Sequence, residues 1–229
     1  LHRNDIDGVI ISDIGMIDYL RKTYPNLELH ASTQMNIHNI EGTRFLQDLG
    51  LKRVVLAREM DINKIEKIKS NTNIELEVFV HGALCISYSG QCLMSSLIGG
   101  RSGNKGTCAQ CCRMQYNFMH DGNIINKDKY LLSTKDLNSL ENIGKLIDIG
   151  IDSLKIEGRM KSKEYVYLVT SLYRKAIDSY ITFGHVNITD DEIKELKETF
   201  NRQYTKGFLM NDDNNNFINP VRPNHLGVK

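Results

Sequence analysis

Short apolar runs alternating with helix-like stretches set the strongest limit on how this chain can fold. IDGVIIS at 6–12, LELHAS at 27–32, RVVLA at 53–57, IELEVFVH at 74–81, YLLS at 130–133 and IDSLKIE at 151–157 read as strands. The stretches 13–24, 36–49, 61–70, 137–149 and 164–183 carry helical apolar spacing, with stops at Pro25, Gly50 and Gly150. This rhythm predicts βα units on a parallel sheet. The choice between an open doubly wound sheet and a barrel turns on alternation within the strands. In the fourth, Leu76, Val78 and Val80 share one face and Glu77, Phe79 and His81 the other. In the sixth, Leu154 and Ile156 oppose Ser153, Lys155 and Glu157. An apolar face suits covering helices, and a polar face suits a barrel lumen whose C-terminal mouth carries the chemistry. The expected fold is an α/β (β/α)8 TIM-type barrel, N-terminally truncated to about six of its eight βα units. Residues 1–184 form the partial barrel and 185–229 a C-terminal helix and extension, the helix opening on a Thr189–Glu192 capping box. A hairpin is expected around Asp121-Gly122. Open edges at 6–12 and 151–157 invite pairing with another copy of the chain.

All 5 cysteines, Cys85, Cys92, Cys108, Cys111 and Cys112, fall within the stretch 85–113. Such clustering points to soft ligands around one metal centre or to thiol chemistry. Gly82, Gly90, Gly99, Gly100, Gly103 and Gly106 surround them, and glycine lets backbone fold tightly over a small object. A zinc site usually uses two tight C-x2–4-C pairs, and the spacing of Cys85 and Cys92 is wider than that. The spacing alone leaves an iron–sulfur cluster and zinc both open. An odd, clustered set of thiols without a signal-peptide pattern suits a reducing cytoplasm rather than a disulfide framework. No apolar run approaches the length of a membrane span, so no membrane partner is expected. The formal net charge of +1 advertises no global field for nucleic acid, which leaves local patches. The glycines at 99–106 match neither a Walker loop nor a dinucleotide fingerprint.

The stretch resembles the signature of the peptidase U32 family. Glu77, Phe79, Gly82, Ala83, Leu84, Cys85, Gly90, Cys92 and Ser95 match that pattern at its spacing. HASTQMN at 30–36, LARE at 56–59 and SLKIEGRMKS at 153–162 are similar to the family as well. The resemblance implies a (β/α)8-type barrel. It also implies four thiolate ligands, Cys85, Cys92, Cys108 and Cys112, for a [4Fe–4S] cluster, with zinc the runner-up. Cys111 falls where relatives carry Pro and is the extra thiol. SSLIGGRSGNKGTCAQ and FNRQYTKGF at 200–208 look most like the branch that hydroxylates ribosomal RNA. The resemblance therefore implies hydroxylation of a pyrimidine in rRNA or tRNA, with prephenate as the oxygen donor. Two alternatives stand beside it: a collagenase-like peptidase with Cys85 as nucleophile and His81 as base, and an RNA-binding module with a structural metal.

Residues at or near the C-terminal ends of the expected strands are the catalytic candidates: His30, Glu59, Glu77, His81, Lys155 and Glu157. For Lys155 with Glu77 or Glu157, a purely architectural ion-pair network explains the charges equally well. Arg58, Arg101, Lys105, Arg113 and Arg159 could hold RNA phosphate or another anion. Three of these, Arg101, Lys105 and Arg113, border the cysteines.

Overall fold

The computed structural model describes residues 6–158, 161–211 and 217–221. In chain order these hold β1 (Gly8–Ile11), α1 (Ile14–Thr23), β2 (Glu28–Ala31), α2 (Ile40–Asp48), β3 (Arg53–Val55), α3 (Ile62–Asn71) and β4 (Glu75–Ala83). There follow α4 (Met94–Gly99), β5 (Tyr116–His120), β6 (Asn123–Lys129), β7 (Asp136–Asn138), α5 (Ile143–Ile149), β8 (Ser153–Ile156), α6 (Lys163–Phe183), α7 (Asp190–Glu198) and β9 (Tyr204–Thr205). The helices start where the sequence supplies a side-chain acceptor for free N–H groups. Asp13 accepts from Met16 N, Asp61 from Lys64 N and Ser162 from Tyr165 N. The capping box at Thr189 and Glu192 is present.

The chain divides into two compact units. The first contains Leu1–Phe79, Ser87–Cys92 and Ile149–Lys155. Here β1, β2, β3 and the start of β4 pair side by side in parallel, with Ile10 opposite His30, His30 opposite Arg53 and Arg53 opposite Glu75. β8 joins β4, and the N–H of Asp152 donates to Leu76 O at 3.2 Å. Ile17, Leu29, Leu46, Val54, Ile65, Ile68 and Leu76 lose nearly all exposure, each contributing roughly 1.5–3 kcal/mol of burial.

The second unit contains Val80–Ile86, Leu93–Asp148 and Ile156–Lys229. The last residues of β4 pair antiparallel with β7, setting His81 opposite Asn138 and Ala83 opposite Asp136. β9 lies parallel to β7, with Asp136 opposite Tyr204. Long helix α6 buries Tyr165, Val169, Leu172, Tyr173 and Ala176, one face at helical spacing. β5 and β6 form the expected hairpin.

The fold is mixed α/β with a parallel sheet and helices, and the sheet is not closed. β1 pairs with β2 alone among the described strands. The expected fifth strand at 130–133 is a turn instead, closed by Ser133 N donating to Tyr130 O at 3.1 Å. The strand comes later, at Asp136–Asn138, and runs antiparallel to β4. It takes the first residues expected for the helix at 137–149, leaving α5 to begin at Ile143. The parallel set is therefore β1, β2, β3, β4 and β8, and a TIM barrel is not shown. β7 carries a buried Asp136 in a short run, which apolar alternation cannot reveal.

Candidate functional site

In the first unit, Glu77 is the centre of a polar network. It is 7% exposed, and its carboxylate accepts from Lys155 Nζ at 2.8 Å, Ser153 Oγ at 2.9 Å and Arg53 Nη1 at 3.5 Å. Arg53 also grips Glu75 through Nε at 2.9 Å and Nη2 at 2.7 Å. Burial alone would raise the Glu77 pKa. The hydrogen bond and charge of Lys155, the Ser153 hydroxyl and the Arg53 charge outweigh it and hold the carboxyl below its usual value. Phe79, two residues on and therefore on the same strand face, carries Arg58 at 4.2 Å and Lys155 at 5.5 Å from its ring centroid. The polar face read from alternation is thus real, and it joins Glu77, Lys155 and Arg58 into one patch.

Glu59 lies elsewhere in this unit. Its Oε1 accepts from Ser89 N at 2.8 Å and Ser89 Oγ at 3.3 Å. Ser89 Oγ in turn accepts from Arg58 N at 3.1 Å. Gly90, at φ +75°, stands so close to Gln34 that a Cβ would meet its carbonyl oxygen at 2.0 Å. These contacts fix the backbone just before Cys92. His30 has Glu28 as its nearest acid, at 3.5 Å, and takes no part in the Glu77 network among the described contacts.

The second unit holds Cys85, Cys108, Cys111 and Cys112, and the half-buried Arg113 follows directly on the last of them. Its Nη2 donates to Leu84 O at 2.6 Å, and its Nη1 to Ser133 Oγ at 3.1 Å and to Thr134 O. Burial lowers its pKa and Arg202 adds to this, against the opposing influence of Cys112, Asp136 and Cys85. Arg113 thus pins the backbone beside Cys85 to the loop carrying Cys112. Arg101 and Lys105 are exposed, and Arg101 Nε donates to Thr107 O at 2.8 Å. Arg159 lies outside the described residues.

No disulfide joins any of the five cysteines, of which Cys108 is exposed and the others half-buried. The N–H of Gln110 donates to Cys108 Sγ at 3.3 Å. Cysteine sulfurs are soft ligands, the donor type that iron and zinc take. Among the described residues, no three His, Cys, Asp or Glu side chains stand together as a metal-binding group.

His81 is 1% exposed, in a box of Tyr165, Tyr173 and Tyr204 with ring centroids 6.0, 5.5 and 5.4 Å away. Burial pulls its pKa down to about 3, with the Lys161 charge adding to the effect. Tyr173 and Tyr165 sit two turns apart on one face of α6. Burial raises both phenols, and pushes that of Tyr204 up to about 12. Around Asp136 gather Arg202, at 3.3 Å, and Lys161, at 3.9 Å. Sequence reading missed Arg53, Ser89, Asp136, Lys161 and Arg202. Lys161 lies within the motif at 153–162, and Arg202 within the one at 200–208, so the motifs marked both segments without singling out either side chain.

The sequence model of Peptidase family U32 matches residues 1–219. The chain belongs to peptidase family U32. This U32 chain is 43% identical over 182 residues to the 23S rRNA 5-hydroxycytidine C2501 synthase of Escherichia coli (strain K12), a match covering 79% of the chain and 27% of that protein. It is 41% identical over 213 residues to tRNA hydroxylation protein P1 of Bacillus subtilis (strain 168), covering 90% and 50%. It is also 34% identical over 224 residues to the Collagenase of Porphyromonas gingivalis (strain ATCC BAA-308 / W83), covering 90% and 52%. The chain thus spans about half the length of two of these relatives and about a quarter of the third.

Proposed function

We propose that this U32 chain serves the hydroxylation of a pyrimidine in RNA. The observation that carries the reading is identity above 40% to two relatives named for hydroxylated rRNA and tRNA, extending over most of the chain. In this reading Cys85, Cys92, Cys108 and Cys112 hold a [4Fe–4S] cluster, the resemblance supplying the ligand set. The cluster brings the electron transfer that an oxygen insertion needs and amide hydrolysis does not. Arg113 keeps the cysteine loop in place, and the exposed Arg101 and Lys105 meet RNA phosphate. Prephenate is the proposed oxygen donor, and the cytoplasm, where RNA is modified, the proposed location. The parallel strands suit part of a (β/α)8-type barrel. Among the described residues, no helix is long and apolar enough to cross a membrane.

The collagenase-named relative favours a second reading, a peptidase with Cys85 as nucleophile. His81 speaks against it, because a histidine buried to a pKa of about 3 is a poor base near neutral pH. Deleting the gene and analysing RNA nucleosides by mass spectrometry separates the readings. Loss of a hydroxylated pyrimidine, restored by wild type and not by Cys85→Ala, supports hydroxylation. An unchanged nucleoside profile together with peptide cleavage by iron-free protein overturns it. Anaerobic iron and sulfide analysis tests the cofactor, and zinc without iron would refute the cluster.

A further inference from the structure

All 7 residues of β6 are exposed, and so is β5 beyond the half-buried Tyr116. Alternate residues of a strand point to opposite faces, so both faces of this ribbon meet solvent. No third strand joins it among the described strands. Phe118 is 52% exposed, and Met119, Ile124 and Ile125 are exposed as well. A lone two-stranded ribbon is marginal in water, and uncovered large apolar side chains grouped together mark a contact surface. The ribbon is nonetheless built to hold its shape. Asp121 and Gly122 form its tip with φ at 48° and 76°, the positive pair that a two-residue hairpin turn requires. Gln115 Nε2 donates to Asp128 O at 3.1 Å, and Asp128 N to Asn117 Oδ1 at 2.9 Å, across the strands. At the base, the Tyr116 hydroxyl donates to Cys111 O at 2.9 Å, which ties the ribbon to the cysteine loop.

Charge is the independent guide to what covers this surface. Residues 93–135 carry six cations, Arg101, Lys105, Arg113, Lys127, Lys129 and Lys135, against two acids, Asp121 and Asp128, a formal +4. The whole chain is +1, so its other residues carry −3. The positive charge is concentrated on the stretch that holds the ribbon, and such a stretch is complementary to a polyanion. The ribbon is a poor template for another protein strand. Lys127 and Lys129 stand exposed on β6, and the register of β5 breaks on both sides of Phe118. Edge lysines and bulges both discourage strand pairing, and a bulge also re-aims the side chain beside it. An open aromatic ring among cations is how proteins hold unpaired nucleotides, because every base has a face to stack. Bases inside a duplex already stack on each other and offer no such face.

We infer that the β5–β6 ribbon is an arm that grips unpaired RNA, with Phe118 stacking on a base and Lys127 and Lys129 meeting the phosphates beside it. The inference rests on the hydroxylation reading for the polyanion being RNA. It deepens that reading by naming the class of RNA, a single-stranded segment or loop, and the element that holds it.

The test is fluorescence anisotropy of the full-length, anaerobically purified protein with a labelled single-stranded RNA of about 10 nucleotides, and with the same RNA annealed to its complement. The single strand is expected to bind at least about fivefold more tightly than the duplex, the lower worth of one stacked base. Phe118→Ala should weaken the single strand about fivefold or more and leave the duplex unchanged. Phe118→Trp should bind the single strand at least as tightly as wild type, a gain that misfolding cannot produce. Lys127→Gln and Lys129→Gln should each lower the slope of log affinity against log salt by about 0.7. Ultraviolet cross-linking of the wild type, mapped by mass spectrometry, should place the RNA on residues 116–129. Duplex binding as tight as single-strand binding overturns the inference, as does Phe118→Ala with the affinity of wild type, or cross-links confined to other peptides. A dimer in sedimentation that Phe118→Ala dissociates, with RNA binding unaltered, would give the face to a second copy of the chain and overturn it as well. Nucleoside analysis of the deletion strain reports on hydroxylation alone, so the arm and the reaction can each fail without the other.

Discussion

Lys155 Nζ stands 2.8 Å from Glu77 Oε1, joining β8 to β4 across 78 positions of sequence. The carboxylate is nearly buried, and Ser153 and Arg53 take up its second oxygen. Glu77→Gln should destabilise the protein by about 1–3 kcal/mol at pH 7, because it weakens the partners of two cations. The carboxyl pKa is depressed in the folded state, so its contribution is present above about 4.5 and lost as pH falls through the folded value. Urea unfolding of wild type and Glu77→Gln should therefore converge on acidification. A gap that stays constant down to pH 3 would show that the pair contributes nothing.

His81 leads to a different pH window. Its folded pKa is about 3 against 6.5 for the free side chain, so between those values only the unfolded chain binds the proton. Its contribution is intact above pH 6.5 and falls by about 1.4 kcal/mol per unit below it. Between pH 6.5 and 5 the Glu77 carboxyl stays ionised, so unfolding in that range isolates His81. The slope should be shallower in His81→Phe than in wild type, and identical slopes would refute the buried neutral ring.

Arg113 binds two carbonyls and a hydroxyl from separate segments. Arg113→Ala should cost about 2–4 kcal/mol and speed alkylation of Cys111 and Cys112 at least about tenfold, because the loop is no longer tied down. Arg113→Lys should restore little, since an ammonium cannot serve three acceptors in one plane. Mass-spectrometric labelling of metal-free protein reads the rates, and an unchanged labelling rate in Arg113→Ala would remove the tether.

Gly82 holds φ at +102°, and an added Cβ would lie 2.2 Å from the Glu157 carbonyl oxygen. That oxygen belongs to backbone, so it cannot swing aside as a side chain would. Gly82→Ala should cost about 3 kcal/mol or more in urea unfolding. A loss below about 1 kcal/mol would mean that the strand and the Glu157 backbone part easily.

Cys111 and Cys112 are neighbours with opposite expected fates. Cys112→Ala should abolish the broad visible absorption of anaerobic protein, as should Cys85→Ala, while Cys111→Ala keeps it. The reverse result, an essential Cys111 and a dispensable Cys112, would reassign the ligand.

The sequence by itself determined the local elements and the family. Apolar runs and caps placed β1 to β4 and helices α1 to α3, because each depends on contacts within a few residues. The spacing of Gly82, Cys85, Gly90 and Cys92 carried the family, and strand alternation put Glu77 and Phe79 on one polar face. The tertiary structure decided which distant side chains meet. Arg53 and Ser153 on Glu77, Arg202 and Lys161 on Asp136, and the tyrosines around His81 are separated in sequence by 24 to 123 positions, and no local pattern encodes such pairings. The strand at 136–138 belongs to the same class. Its antiparallel place beside β4 is fixed by hydrogen bonds to partners far along the chain, while the more apolar YLLS before it is drawn into a turn. Burial then turned an ordinary residue into an unusual one, a histidine that stays neutral.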